Sequence, residues 1–253
     1  MKLLFLGTGT SQGVPVIACH CGVCSSPDPR DCRLRTSALL CTDEGRNILF
    51  DIGPDFRQQM LLHDVNHLDA ILITHAHRDH VAGLDEIRSF NYVQDRKMDV
   101  YLNGPAKTAI QQAYHYIFVP HQYPGLPEAD LHVVDASFGA AGVTIVPIHV
   151  MHKDLPVLGY RIGNLAYITD ANHIAPEEMQ KMKGVKTLVI NALRKEHHFS
   201  HFSLPEALEV IEQVKPEQAY ITHISHDMGL HAEVDATLPV GVHLAYDNLT
   251  IEL

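Results

Sequence analysis

One stretch limits what this chain can fold into more than any other: Thr74-His75-Ala76-His77-Arg78-Asp79-His80. Three imidazoles and one carboxylate fall within six positions. Neutral imidazole and carboxylate suit zinc, manganese and iron, and this spacing puts several ligands on one tight loop. The short apolar run before it, Ala70-Ile71-Leu72-Ile73, predicts a buried strand. After it, Val81, Leu84, Ile87 and Phe90 recur every three to four residues and predict a helix. The cluster therefore sits on a strand-to-helix turn, where side chains can converge on one point. The alternative is a solvated, histidine-rich loop.

An internal echo favours the metal reading. Ile73-Thr74-His75, Ile168-Thr169-Asp170 and Ile221-Thr222-His223 share one form: an apolar strand, Ile-Thr, then a residue able to ligate. Ligands at strand ends are held more rigidly than ligands on long loops.

Composition narrows the class. The 253 residues carry ordinary apolar and charged fractions for a globular protein. No linker, low-complexity tract or repeat divides them, so residues 1–253 are read as one domain. The net charge of −11 argues against a broad nucleic-acid surface. It leaves a small anionic substrate open, because divalent cations would reverse the local field. No run approaches a membrane span of roughly 20 apolar residues. Met1–Leu6 is too short for a secretion signal. Three of the five cysteines crowd at Cys19, Cys21 and Cys24, which suits a metal better than disulfides, and a cytoplasmic location is expected. Three thiolates hold one tetrahedral zinc if a fourth ligand arrives, and Cys32, His20 and a distant histidine are candidates. Cys41, in the apolar run Ser37–Cys41, reads as a buried, inert thiol.

Along the chain, Lys2–Leu6 predicts a first strand. Gly7-Thr8-Gly9-Thr10-Ser11-Gln12-Gly13 is a glycine-rich loop that matches neither dinucleotide nor P-loop spacing and reads as a turn or a site rim. Ile48-Leu49-Phe50 is a strand ending in Asp51-Ile52-Gly53. Pro105 to Phe118 reads as a helix opened by proline. Tyr114, His115, Tyr116, His121 and Tyr123 gather around it, as core or as the flank of a pocket. Val143–Ile148 is a strand leading to His149 and His152. Val157–Ile162 and Leu165–Thr169 form a hairpin at Gly163-Asn164. Pro176–Lys183 is a short helix and Lys186–Ile190 a strand. Ser203-Leu204-Pro205-Glu206 is a capping box that opens a helix through Val214. Gln218–Thr222 is a strand, and two short strands flank Asp247-Asn248.

His-x-His-x-Asp-His after an apolar strand, with further ligands in order, resembles the metallo-β-lactamase fold superfamily. The resemblance implies an α/β, four-layer αββα architecture: two mixed β-sheets packed face to face with helices outside. It implies two divalent ions, Mn2+ or Zn2+. His75, His77 and His152 would hold one, Asp79, His80 and His223 the other, and Asp170 would bridge them. His149 is the rival of His152, which is preferred because Leu158-Gly159-Tyr160 follows at the family's distance. Asp51 would support a ligating histidine rather than touch metal.

Within the superfamily, the Cys-x-Cys-x2-Cys loop and Thr222-His223-Ile224-Ser225-His226 resemble the cyclic-phosphate phosphodiesterases of bacterial phosphonate (carbon–phosphorus lyase) breakdown. That implies a structural Zn2+ on Cys19, Cys21, Cys24 and His226. It also implies catalysis by Asp79 and by His201 as general acid, with His197 and His198 as rivals for the acid. The implied reaction is opening of a small anionic phosphodiester, either 5-phosphoribosyl 1,2-cyclic phosphate or a 2′,3′-cyclic nucleotide, by metal-hydroxide attack. The implied enzyme is cytoplasmic, with no nucleic-acid or membrane partner, and a homodimer is compatible with it. Ala245-Tyr246-Asp247-Asn248 departs from the Asp-Gly usual there, and asparagine tolerates the same left-handed turn. Two readings compete: a ribonuclease Z-type tRNA 3′-processing endonuclease, and a non-catalytic, metal-stabilised binding protein. Only 17 residues separate His152 from Asp170, too few for the tRNA-gripping arm of the former.

Overall fold

Alternation along the strands sorts the apolar side chains onto two faces. In Asn47–Phe50, Ile48 and Phe50 enter one hydrophobic cluster and Leu49 another. In Lys2–Gly7, Leu3 and Phe5 go one way and Leu6 the other. A sheet with two apolar faces must be covered on both sides.

The computed structural model describes residues 1–119 and 125–253. The first sheet contains β1 (Lys2–Gly7), β2 (Ser37–Cys41), β3 (Asn47–Phe50), β4 (Ala70–Leu72), β5 (Met98–Leu102) and β6 (Ala129–Val133), hydrogen-bonded in that order. The second contains β7 (Phe138–Ala140), β8 (Val143–His152), β9 (Leu155–Ile162), β10 (Leu165–Tyr167), β11 (His173–Ile174), β12 (Thr187–Asn191), β13 (Gln218–Thr222) and β14 (Val242–Leu244). Its order is β11-β8-β9-β10-β12-β13-β14, with β7 on β8. The last strand, β15 (Thr250–Glu252), returns to the first sheet beside β1. Each sheet is antiparallel on one side and parallel on the other: β3-β4-β5-β6 and β10-β12-β13-β14 run parallel.

The inner faces meet. Leu3, Phe5, Leu40, Ile48, Phe50 and Leu72 pack against Ile145, Leu158, Tyr160, Tyr167 and Val189. Phe50 and Tyr167 stack across the gap at 4.4 Å. Truncating such a fully buried aromatic to alanine costs about 3–5 kcal/mol. The outer face of the first sheet carries α1 (Phe56–Leu62), α2 (Arg78–Val81), α3 (Ile87–Gln94), α4 (Gly104–Ala113) and α5 (His115–Phe118), whose Phe56, Met60, Val81, Ile87, Ile110 and Ile117 join Leu49, Ile71 and Val100. On the second sheet, α6 (Pro176–Lys181), α7 (Leu204–Val214) and α8 (His231–Asp235) lie along the chain, and Ala207, Ile211, Val214 and Val234 cover Ile148, Leu188, Ile190 and Ile221. The layers are therefore αββα. Among the described residues no helix is long and apolar enough to cross a membrane.

Three expectations change in detail. The helix read from Val81 to Phe90 is broken: α2 ends at Val81, Leu84–Glu86 is a 3-10 turn, and α3 follows. Gly83 causes the break. It donates to Ile52 O at 2.9 Å, and a Cβ there would lie 2.4 Å from Gly53 O. The helix read to Phe118 is interrupted at Tyr114, whose hydroxyl donates to Val81 O at 3.0 Å. Cys41 is half-buried, because its position at the end of β2 leaves one side open. Asn248 does adopt a left-handed conformation, φ 73°.

Candidate metal centre

Strand ends deliver the candidate ligands. His75 follows β4, Asp170 follows β10, His223 follows β13, and His152 is the last residue of β8. Asp170 and His223 lie in the left-handed region, at φ 54° and 57°, as does Asp51 after β3 at 58°. Side chains rarely hold this conformation unless their surroundings impose it, and here it turns three strand ends toward one place. The two sheets are tied at that place. Leu158 N donates to Thr74 O at 2.9 Å, and the Tyr160 hydroxyl donates to Ile73 O at 2.6 Å.

The seven expected ligands come together. His75 Nε2 lies 2.9 Å from His77 Nδ1, and the His152 ring is 5.9 Å and 5.3 Å from those two rings. His80 Nε2 lies 3.2 Å from Asp79 Oδ2 and 3.1 Å from Asp170 Oδ2. His223 Nε2 lies 3.2 Å from Asp170 Oδ1 and 3.7 Å from Asp79 Oδ2. Asp170 is thus the carboxylate between the two groups. His201 also reaches it, with Nδ1 3.7 Å from Asp170 Oδ1 and its ring 4.5 Å from that of His152.

Asp51 stands behind these residues and is fully buried. The His80 Nδ1–H donates to it at 2.7 Å, and Thr74 donates through its backbone N–H at 2.8 Å and its hydroxyl at 2.9 Å. The Thr74 oxygen also lies 3.0 Å from His75 Nδ1. One carboxylate therefore fixes two imidazoles with Nε2 turned forward. Thr74 belongs to the Ile-Thr echo, but its sequence pattern did not reveal this bridging. Asn191 is a further positioning residue: its side chain accepts from Ala171 N and donates to Ala171 O, pinning the loop after Asp170.

The electrostatics are those of a cation site. Burial opposes charge on His80, yet Asp170, Asp51 and Asp79 outweigh it and hold its pKa well above the usual imidazole range. Burial likewise opposes charge on Asp79 and Asp170, but the facing His80 and His223 keep both carboxylates well below their usual range. Burial and the neighbouring His80 push His75 far down. Among the described residues, His80 Nε2, His152 Nδ1, His201 Nδ1 and both nitrogens of His223 are buried without a hydrogen-bond partner. Unpartnered buried nitrogens are costly, and a metal ion would satisfy His80 Nε2 and His223 Nε2, which face the carboxylates of Asp79 and Asp170.

A second cluster joins the N-terminal loop to the loop after His223. Cys19, Cys21 and Cys24 Sγ lie 3.3, 3.4 and 3.5 Å from His226 Nδ1. Tetrahedral zinc with ordinary bond lengths would separate sulfur and nitrogen by about 3.6 Å. The loops are joined nearby by Ile224 N to Thr8 O and Thr10 N to Ile224 O. Hydrogen bonds from Cys24 N and His226 lower the Cys21 thiol to about 6. His20 and Cys32, the other candidate fourth ligands, are exposed and outside this group.

Other candidates lie elsewhere. His149 sits three residues from His152 on a continuous ladder, hence on the opposite face of β8, with Nε2 3.4 Å from Asp135 O. His197 is exposed and pairs with Glu206 at 2.9 Å. The His198 ring is 5.3 Å from that of His201. Tyr114 is buried, the Tyr116 hydroxyl meets Asp85, and His115 is exposed. His121 and Tyr123 lie outside the described residues. The glycine-rich loop does line a rim: Ser11 and Gln12 border a cleft that also includes Asp79.

A sequence profile of the beta-lactamase superfamily domain matches residues 46–224, the span from β3 to just past His223. The chain belongs to the metallo-β-lactamase superfamily. Its fold is that of this hydrolase superfamily, in which divalent metal binding is the rule. An octanoyltransferase of Porphyromonas gingivalis is 42% identical over 252 residues, covering 98% of this chain and 51% of that protein. This metallo-β-lactamase-fold chain thus spans about half the length of that curated relative. Among solved structures, a diphosphatase from the PhnP family is 36% identical, with TM-score 0.93, covering 100% of this chain and 97% of that one. Zinc-bound PqqB from Methylobacterium extorquens has TM-score 0.80 at 18% identity, with full coverage of both chains, a likeness of fold alone.

Proposed function

We propose that this chain is a metal-dependent phosphodiesterase that opens small cyclic phosphate diesters to monoesters. The observation that carries the reading is the convergence of His75, His77, Asp79, His80, His152, Asp170 and His223 around Asp170, with a short connection between His152 and Asp170. Eleven of the 17 residues between His152 and Asp170 belong to β9 and β10. The similarity to a PhnP-family diphosphatase over nearly the whole chain supports phosphoryl chemistry, and the clustered histidines and carboxylates support a metal.

His75, His77 and His152 would hold one divalent ion, and Asp79, His80 and His223 the other, with Asp170 between. When bound, such ions polarise phosphoryl oxygens and lower the pKa of water. The chain's own residues do the rest. Asp51 and Thr74 hold the ligating rings in one tautomer. His201 is positioned to protonate the leaving alkoxide. Its backbone is fixed by its neighbours: Phe202 N donates to Ala171 O at 2.7 Å, and Ser203 caps α7 with Glu206. Burial and His223 push His201 down to about 3, so an anionic substrate must stabilise the proton it gives. Cys19, Cys21, Cys24 and His226 would hold a structural zinc.

The test is turnover against 2′,3′-cyclic nucleotides, ribose 1,2-cyclic phosphate, linear diesters, diphosphates and precursor tRNA. Cyclic diesters should give monoesters that accumulate. Turnover of tRNA alone would favour the ribonuclease Z-type reading, which the short connection and the charge of −11 disfavour. Metal binding without turnover of any substrate would favour a binding protein.

A further inference from the structure

We propose that the cleft beside Asp79 is a second anion site, in which Arg35 and Arg78 hold a non-reacting phosphate group of the substrate. The proposal rests on the reading above and narrows it to cyclic diesters that carry a terminal phosphate.

The cleft encloses about 490 Å³ and is bordered by Ser11, Gln12, Arg35, Arg78 and Asp79. That volume is ordinary for a small-molecule site. The chain's net charge is −11, yet two guanidinium groups border this one cleft.

Each arginine is braced from behind. Arg35 Nε lies 3.0 Å from Asp55 Oδ2, and the same oxygen accepts the Arg35 backbone N–H at 2.8 Å. The tip of Arg35 runs along Gly13, where an added Cβ would lie 3.5 Å from Nη1. Gly13 has φ +66°, so a glycine is favoured there by conformation, and an added Cβ would also crowd Arg33 O at 3.0 Å. Arg78 lies over the Tyr114 ring, 5.6 Å from its centroid, and its Nη1 donates to the Tyr114 hydroxyl at 3.1 Å. That hydroxyl donates onward to Val81 O. Among the described residues Arg78 has no carboxylate partner, and the terminal nitrogens of Arg35 make no hydrogen bond. A braced guanidinium with unused terminal N–H groups is matched to phosphate, whose oxygens accept in pairs.

Asp79 belongs both to this cleft and to the ligand set. One small molecule can therefore place its scissile phosphorus at the ligands and a second phosphate between the arginines. Val16, Ile17 and Pro54 supply apolar wall for the part in between.

Two measurements on the metal-loaded protein test this. The first compares kcat/KM for adenosine 2′,3′-cyclic phosphate with and without a 5′-phosphate, in the wild type, Arg78→Gln and Arg35→Gln. The 5′-phosphate should raise kcat/KM at least about tenfold, through KM. Arg78→Gln should lose roughly 10- to 100-fold on the phosphorylated substrate, as expected for charge-assisted hydrogen bonds, and under about threefold on its partner. Arg35→Gln should act in the same direction, and its melting temperature shows whether the lost Asp55 pair has also disturbed the fold. A wild type indifferent to the 5′-phosphate, or an Arg78→Gln loss equal on both substrates, overturns the proposal. The second measurement is calorimetric titration with ribose 5-phosphate and with ribose, which needs no turnover. Phosphate-dependent binding should weaken at least about tenfold in Arg78→Gln. If no diester is hydrolysed but this dependence holds, the catalytic reading falls and the anion site stands. Binding insensitive to Arg78 overturns the anion site.

Discussion

The Nδ1–H of His80 donates to Asp51 Oδ2 at 2.7 Å, and both side chains are fully buried. Through Thr74 the same carboxylate also orients His75. Asp51 therefore governs the rings of two candidate ligands without facing the cleft. Asp51→Asn keeps the shape and loses the charge. It is expected to cost roughly 10- to 100-fold in metal affinity or rate. Bound metal per chain and kcat at saturating metal separate the two. Asp79→Ala, which removes a proposed ligand, should lower metal content and rate together. An Asp79 variant with unchanged metal and rate would take that residue out of the site.

His226 closes a four-residue cluster that spans 202 residues of chain from Cys24. A closed structural zinc contributes to folding rather than to chemistry. His226→Ala should lower the melting temperature by roughly 5–15 °C, the effect of a few kcal/mol in a domain of this size. The chemical step should change far less. Retention of one zinc per chain with unchanged melting would mean that the fourth ligand is another group.

His201 lies 3.7 Å from Asp170 and is 9% exposed. As the proposed proton donor, it should matter most when the leaving group is a poor alkoxide. His201→Ala should cost roughly 10²–10⁴-fold on such a diester. On a p-nitrophenyl diester, whose leaving group needs little protonation, the loss should shrink sharply. Equal losses on both substrates, or a loss of bound metal, would assign His201 to positioning or ligation.

A prediction of pH dependence comes from outside the metal centre. His231 is buried, and Arg33 Nη2 donates to its Nδ1 at 3.1 Å. Burial, then Arg33 and Arg30, push its pKa down to about 4, against smaller opposing effects of Asp235 and Asp28. The unfolded chain therefore binds more protons than the folded one between about pH 6.5 and 4. The stabilisation is fully present above 6.5 and is lost as the pH falls toward 4. At pH 5 a group shifted this far has lost roughly 2 kcal/mol. His231→Gln should be less stable than the wild type at pH 7 and should lose less stability between pH 7 and 5. Parallel melting curves for the two proteins across that range would show that His231 does not titrate in this way.

The strand ends show how much was legible in advance. The Ile-Thr-ligand echo places His75, Asp170 and His223 just after three strands, β4 of the first sheet and β10 and β13 of the second, and the capping box starts α7 at Ser203. Both are patterns among residues close in sequence, where periodicity and capping chemistry act directly. The breaks at Gly83 and Tyr114 were not legible. The first follows from contact with the Ile52–Gly53 loop and the second from the carbonyl of Val81, and neither partner lies within the helix it interrupts.

The sequence by itself therefore determined the types and order of the candidate ligands and the strands that carry them. Tertiary structure decided which of several equivalent residues face the site. His149 and His152 are alike in sequence, and only the pairing of β8 with β9 turns His152 toward His75. His197, His198 and His201 stand within five positions, and tertiary contacts such as the Phe202–Ala171 hydrogen bond leave His201 beside Asp170. Arg35 and Arg78 carry no sequence signature at all. Their shared cleft exists because the loops after β1, β3 and β4 meet at one edge of two packed sheets. Local pattern fixes local geometry, whereas convergence across tens or hundreds of residues depends on how the two buried sheet faces dock.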